Sequence, residues 1–166
     1  MRFLTLILAW LLTVGAGMAR AGGDEIAYAR DLSADAQIMR SKGVPMLVIF
    51  TRPECGYCDR LMAEYLVPMQ RTKTYQGRVL MRQIEVGGDD TLVDFSGKTV
   101  THGQFAWRYR AGLTPTVKFI DTNGTELTEA IIGYTTPDLY GGYLDNAIDE
   151  ALLKSKQRAR TAALAR

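Results

Sequence analysis

An α/β domain with a parallel or mixed sheet is predicted by three features of the 166-residue chain. Val44 to Phe50 is a nearly unbroken apolar run, the pattern of a strand covered on both faces. Beyond the polar turn Thr51 to Glu54, Cys58, Leu61, Met62, Tyr65, Leu66 and Met69 recur at helical spacing. A second strand pattern, Arg78 to Val86, follows. The two strands would then lie parallel, with the helix between them as a right-handed crossover.

Taken in order, the chain begins with a segment that reads as an export leader. Arg2 supplies a positive start, Phe3 to Val14 an apolar stretch, and Ala19-Arg20-Ala21 a small-x-small cleavage site, so residues 1–21 are expected to be removed after Ala21. The apolar stretch is too short for a comfortable membrane span, and no stable membrane insertion is expected. Cleavage removes Arg2 and Arg20 and no acid, taking 20 basic and 18 acidic residues to 18 of each. A chain so nearly neutral is a poor bulk binder of nucleic acid or anionic lipid.

A composition of 47% hydrophobic residues suits one domain, here 22–153, followed by a basic tail, 154–166. Asp24 to Tyr28 reads as a mobile lead-in. Ser33 to Ser41 reads as a helix with Ser33 or Asp31 as N-cap and Gly43 as its stop. The helix after the turn should span about Gly56 to Val67, with Pro68 ending or kinking it. Gly87 to Thr99 reads as a surface loop, because Asp89, Asp90 and Asp94 lack the terminal acid of an EF-hand. Thr101 to Arg110 is expected to be a short helix with Phe105, Ala106 and Tyr109 inward, Trp107 in packing and His102 solvated. As the single imidazole, His102 is also the one candidate proton shuttle. Val117 to Asp121 and Glu129 to Ile132 form an antiparallel pair around the Asn123-Gly124 turn signal. A final helix opens at Thr136-Pro137-Asp138, with Leu139, Tyr143, Leu144, Ala147, Ile148, Ala151 and Leu152 inward.

Two cysteines stand where the buried strand hands over to the helix. Unpaired N–H groups and the positive end of the helix dipole favour a thiolate there, so Cys55 should be the more acidic and exposed sulfur. Cys58, one turn on, can close a disulfide with it. Reversible oxidation is the favoured reading of this CxxC spacing, with a static bridge and a metal site as alternatives. A four-ligand zinc site, however, needs more than two Cys and one His. Outside the cytoplasm the pair would be oxidised unless a partner reduced it. Charges nearby balance, Arg52 and Arg60 against Glu54 and Asp59, which points to a moderate lowering of the Cys55 pKa.

The order of elements from Asp31 to Leu153 resembles the thioredoxin fold, a central mixed four-stranded sheet flanked by helices. The marks that carry the resemblance are Cys55-Gly56-Tyr57-Cys58 at a strand-helix junction and Thr114-Pro115 some sixty residues later. The resemblance implies a cis Thr114-Pro115 bond facing the cysteines, with Gly56, Tyr57, Thr114 and Pro115 shaping the groove for a substrate's extended backbone. The motif is similar to that of periplasmic disulfide isomerases. The size and exported character are similar to periplasmic thioredoxins of sulfur oxidation and cytochrome maturation. The expectation is a periplasmic thiol-disulfide oxidoreductase without cofactor or metal. It would reduce a protein disulfide and be recharged by a membrane electron-transfer protein. Disulfide isomerase or oxidase and a non-catalytic binding module are the alternatives. One departure is Ile49, where thioredoxin buries an aspartate. A base for Cys58 would then be water, Glu54 or a group from the 87–99 loop.

Overall fold

The computed structural model describes residues 25–164, so the expected leader and its cleavage point lie outside the described residues. Helix α1, Leu32–Lys42, starts because the Asp31 carboxylate accepts the Ala34 N–H at 2.8 Å, and stops at Gly43, whose φ of 66° is left-handed. Strand β1, Met46–Thr51, follows and is buried throughout. Helix α2, Gly56–Leu61, passes through a π-helical turn, Met62–Leu66, into α3, Val67–Arg71, and a short α4, Lys73–Gln76. Then come β2, Leu80–Glu85, the hairpin strands β3, Thr91–Val93, and β4, Thr99–Thr101, and helix α5, His102–Arg108. Strands β5, Thr116–Ile120, and β6, Ile131–Ile132, lead into α6, Pro137–Leu164.

The main sheet has the order β2-β1-β5-β6, with β1 and β2 parallel and the other pairs antiparallel. This is the expected mixed four-stranded sheet. Alternation along β1 sorts its side chains to two cores, each buried apolar side chain contributing about 1.5–3 kcal/mol. Leu47 and Ile49 join Leu61, Leu66, Phe119, Leu144 and Ile148 on the face covered by α2 and α6. Met46, Val48 and Phe50 join Leu32, Met39, Leu92 and Phe105 on the face covered by α1, the hairpin and α5.

Five expectations need correction. The lead-in is held from Ile26 onward: the Ala29 N–H donates to the Gln83 carbonyl and the Gln83 N–H to the Ala27 carbonyl, both at 2.9 Å, along the outer edge of β2. Of the two outcomes expected at Pro68, an end or a kink, the end does not occur. The proline has no N–H to give Glu64, and the Val67 N–H reaches back to Met62, so the wide turn accommodates the ring and the helix runs on to Arg71. Residues 87–99 contain a hairpin rather than a plain loop; Leu92 and Asp94 are buried in it. The buried stripe of α6 is Tyr140, Leu144, Ile148 and Ala151, leaving Leu139 and Tyr143 exposed. The basic segment read as a tail continues α6 to Leu164, with Arg158 donating to the buried Asp121 carboxylate at 2.6 Å.

Candidate active site

The site sits at the C-terminal end of β1, where the turn Arg52 to Glu54 aims the next residue into α2. Glu54 adopts a left-handed φ of 56°, a conformation uncommon for a side chain of its size. Cys55 is the N-cap of α2: the Cys58 N–H lies 3.2 Å from its Sγ and also donates to the Cys55 carbonyl at 2.9 Å. An amide aimed at sulfur favours charge there once the bond is reduced. Cys55 is half-buried and Cys58 is 1% exposed. The two are joined as a disulfide. The expected division, an accessible first sulfur and an enclosed second one, is what the fold produces.

The antiparallel register of β1 and β5 sets Phe50 against Thr116, which brings Thr114 and Pro115 beside the end of β1. The Thr114-Pro115 bond is cis, as expected. Three hydrogen bonds fix this corner. Arg52 donates to the Gly112 carbonyl at 3.0 Å, the Thr116 hydroxyl to the Leu113 carbonyl at 2.7 Å, and the Gly133 N–H to the Pro115 carbonyl at 2.8 Å. Tyr57 and Leu113 flank the pair as exposed apolar groups, 62% and 69% accessible. Gly56, Tyr57, Thr114 and Pro115 are therefore brought to the same end of the sheet as the cysteines.

Of the charges expected around Cys55, Arg60 is drawn the other way. Its Nε donates to Glu64 at 3.0 Å and its guanidinium lies over the Tyr134 ring. The Tyr134 hydroxyl also donates to Glu64, and that bond, followed by the Arg60 one, holds the Glu64 carboxyl below its ordinary range. Burial and the same carboxylate push Tyr134 up to about 12.

Behind Cys58 lies a feature that sequence reasoning missed. An open cleft of about 670 Å³ is lined by Cys58 and Met62 from the helix side, by Thr51 and Gln83 from the sheet, and by Tyr28 from the lead-in. The Gln83 side-chain amide donates to Thr51 Oγ1 at 2.8 Å and to the Tyr28 hydroxyl at 3.0 Å. Burial, then the carboxylate of Glu85, raises the Tyr28 pKa and keeps that hydroxyl protonated. The signal was present as a polar break in two period-two rows: Leu47, Ile49, Thr51 and Met81, Gln83, Glu85. No residue of the 87–99 segment lines this cleft, so it supplies no base there.

His102 is absent from the site. It is 3% exposed, not solvated; its Nδ1 accepts the Glu85 N–H at 3.1 Å and its Nε2 lies 3.0 Å from the Ala29 carbonyl. Trp107, expected in packing, is 81% exposed. The hairpin carboxylate Asp94 is likewise committed to the structure. It accepts from the Ser96 hydroxyl at 2.7 Å, the Lys98 N–H at 3.0 Å and Arg108 at 2.8 Å.

A family model described as a thioredoxin-like domain matches residues 32–148. No curated protein matches the sequence. Among solved structures, the chain is similar to DsbH oxidoreductase, with 13% identity, a TM-score of 0.50, and 75% of this chain and 85% of that one covered. It is also similar to the periplasmic thioredoxin SoxS of Paracoccus pantotrophus in its reduced form, with 22% identity, a TM-score of 0.45, and 64% and 98% covered. For the poplar thioredoxin h PtTrxh4 the figures are 15%, 0.48, and 72% and 96%. The family match spans most of the described fold, including the cysteine pair and the Thr114-Pro115 corner, and the chain belongs to the thioredoxin-like domain family.

Proposed function

We propose that this protein is a periplasmic thiol-disulfide oxidoreductase that works as a dithiol reductant of partner-protein disulfides. One observation carries the reading: a half-buried Cys55 sulfur with an N–H aimed at it, bonded to an enclosed Cys58, beside a cis Thr114-Pro115 corner. In the reduced state the Cys55 thiolate attacks one sulfur of the partner disulfide, forming a mixed disulfide and expelling the other sulfur as thiolate. Cys58 then loses its proton and attacks Cys55 Sγ, releasing the second partner thiolate. Two electrons have passed to the partner, and the Cys55-Cys58 pair is oxidised. A membrane electron-transfer protein then returns two electrons to the pair. Gly56, Tyr57, Thr114 and Pro115 form the docking surface for the partner's backbone. The leader-like residues 1–21 support export, and a sulfur-oxidation carrier or a cytochrome-maturation protein is the substrate class.

A Cys58→Ala variant should accumulate Cys55-linked partners in periplasmic extract; recovering none overturns the mechanism. Insulin-disulfide reduction should vanish in Cys55→Ser, and activity that survives the change overturns Cys55 as nucleophile. The direction of electron flow is read from the potential of the pair. A value near the roughly −270 mV of a reductant supports the proposal, and one near the roughly −120 mV of an oxidant replaces it with the oxidase reading.

A further inference from the structure

Resolution of the mixed disulfide requires Cys58 to give up a proton inside the protein, where burial favours the neutral thiol. On the face of β1 directed toward α2, Ile49 belongs to the apolar core and offers no base. On that sheet face Gln83 stands level with Ile49 on the neighbouring strand, and Thr51 two residues beyond Ile49 on β1. Thr51 and Gln83 follow Ile49 and Met81 in the rows directed toward α2, and both are nearly inaccessible, at 2% and 8%. Both line the cleft that contains Cys58.

The hydrogen-bond directions within this pair are informative. Gln83 spends its two amide hydrogens on Thr51 Oγ1 and the Tyr28 hydroxyl. Thr51 Oγ1 is therefore an acceptor toward Gln83, and its own hydrogen reaches no acceptor among the described residues. A hydroxyl pinned in this way has one remaining use, to donate to an anion or water in the cleft. The other charged or titratable groups lining it are Glu25, Arg52, Glu54, Asp59 and Glu85, together with Tyr28. Four of these are carboxylates, which disfavour a second negative charge on sulfur. The neutral hydroxyls in this wall are Thr51 and Tyr28, and of the two Thr51 is enclosed, at 2%, while Tyr28 is 47% exposed.

We propose that Thr51, held by the positioning residue Gln83, donates its hydroxyl hydrogen to the Cys58 thiolate, directly or through one cleft water, and so promotes the resolving step. The Cys58 proton passes to water in the open cleft. The electron pair left on sulfur forms the bond to Cys55 Sγ, and the partner sulfur leaves as thiolate. The inference deepens the proposed oxidoreductase reading and rests on it for its role in turnover.

The test separates the two. In a Cys55→Ser background, Cys58 is a lone thiol whose ionisation is followed by thiolate absorbance and by alkylation rate against pH, with no partner protein needed. Thr51→Val, which keeps shape and removes the hydroxyl, should raise the midpoint by about one pH unit, a tenfold loss of thiolate at neutral pH. Thr51→Ser should restore it. Coincident titrations of the threonine and valine forms, or a serine form that behaves like valine, overturn the proposal. Should Thr51→Val fail to fold by circular dichroism, Gln83→Met, which leaves the hydroxyl unpinned, reads the same midpoint; a rise supports the proposal and no change overturns it. In the two-cysteine protein, Thr51→Val should slow resolution about tenfold at pH 7 while leaving the first attack by Cys55 on a small disulfide unchanged. Loss of that first attack in the unsubstituted protein would instead sink the oxidoreductase reading, with the Thr51 titration still decided.

Discussion

At the scale of single residues, His102 and Cys55 make opposite uses of a helix start. Cys55 leaves its sulfur half-accessible, whereas the His102 ring is enclosed with its Nδ1 accepting from Glu85 and its Nε2 facing the Ala29 carbonyl. Those bonds fix the proton on Nε2 and tie α5 to β2 and to the lead-in. His102→Leu should therefore lower stability by about 2–4 kcal/mol, since two buried backbone groups lose their partners, as read from urea unfolding. Insulin reduction under native conditions should be unaffected; a loss of rate without loss of stability would restore the shuttle role. The cysteines were legible because their chemistry depends on spacing within one turn. His102, Thr51 and Gln83 were not, since their partners lie 17, 73 and 32 residues away and no local period encodes such pairings.

At the scale of elements, the long helix α6 carries adjacent glycines that look equivalent in the sequence and are not. A Cβ on Gly141 would lie 2.9 Å from Tyr65 Cε1, while one on Gly142 meets nothing. Tyr65 cannot give way easily, because its hydroxyl donates to the Pro137 carbonyl at 2.6 Å and its ring packs on Tyr134 and Tyr140. Gly142→Ala should stabilise by about 0.5–1 kcal/mol through helix propensity. Gly141→Ala should destabilise by about 1–3 kcal/mol through overpacking that outweighs the same gain. Thermal melts of the two variants should move in opposite directions, and a shared direction refutes the contact. The extent of α6 escaped the sequence for a related reason. Its apolar period fades after Leu152, and the last turns rely on polar pairs instead, Lys154 with Glu150 and Arg158 with Asp121. The π turn was equally hidden, because Pro68 signals a break while the backbone has a wider turn available.

At the scale of the whole molecule, the sheet order and both cores follow from apolar rows long enough to read. The β3-β4 hairpin, built from three-residue strands, does not. Its buried Asp94 contributes to the acid limit of the fold. Burial opposes ionisation there, but Arg108, the Ser96 hydroxyl and two backbone amides outweigh it and hold the carboxyl well below the usual range. A lowered folded value means that this stabilisation is present above the unfolded pKa of about 3.9 and is lost as pH falls below it. On the alkaline side, burial raises Tyr109 and Tyr134 to about 12. Their contribution is full below the unfolded value of about 10 and disappears as pH climbs toward the folded one. Urea midpoints should stay level between these limits and fall outside them. Asp94→Asn should be less stable than the parent at neutral pH, with the gap closing in acid; a constant gap contradicts the assignment.

The anchored lead-in has a practical consequence for handling the protein. Glu25 and Ile26 line the same cleft as Cys58. An affinity handle fused directly ahead of them would be tethered beside that cleft. Kinetic work is better served by a handle at the other end of the polypeptide, or by one removed before assay.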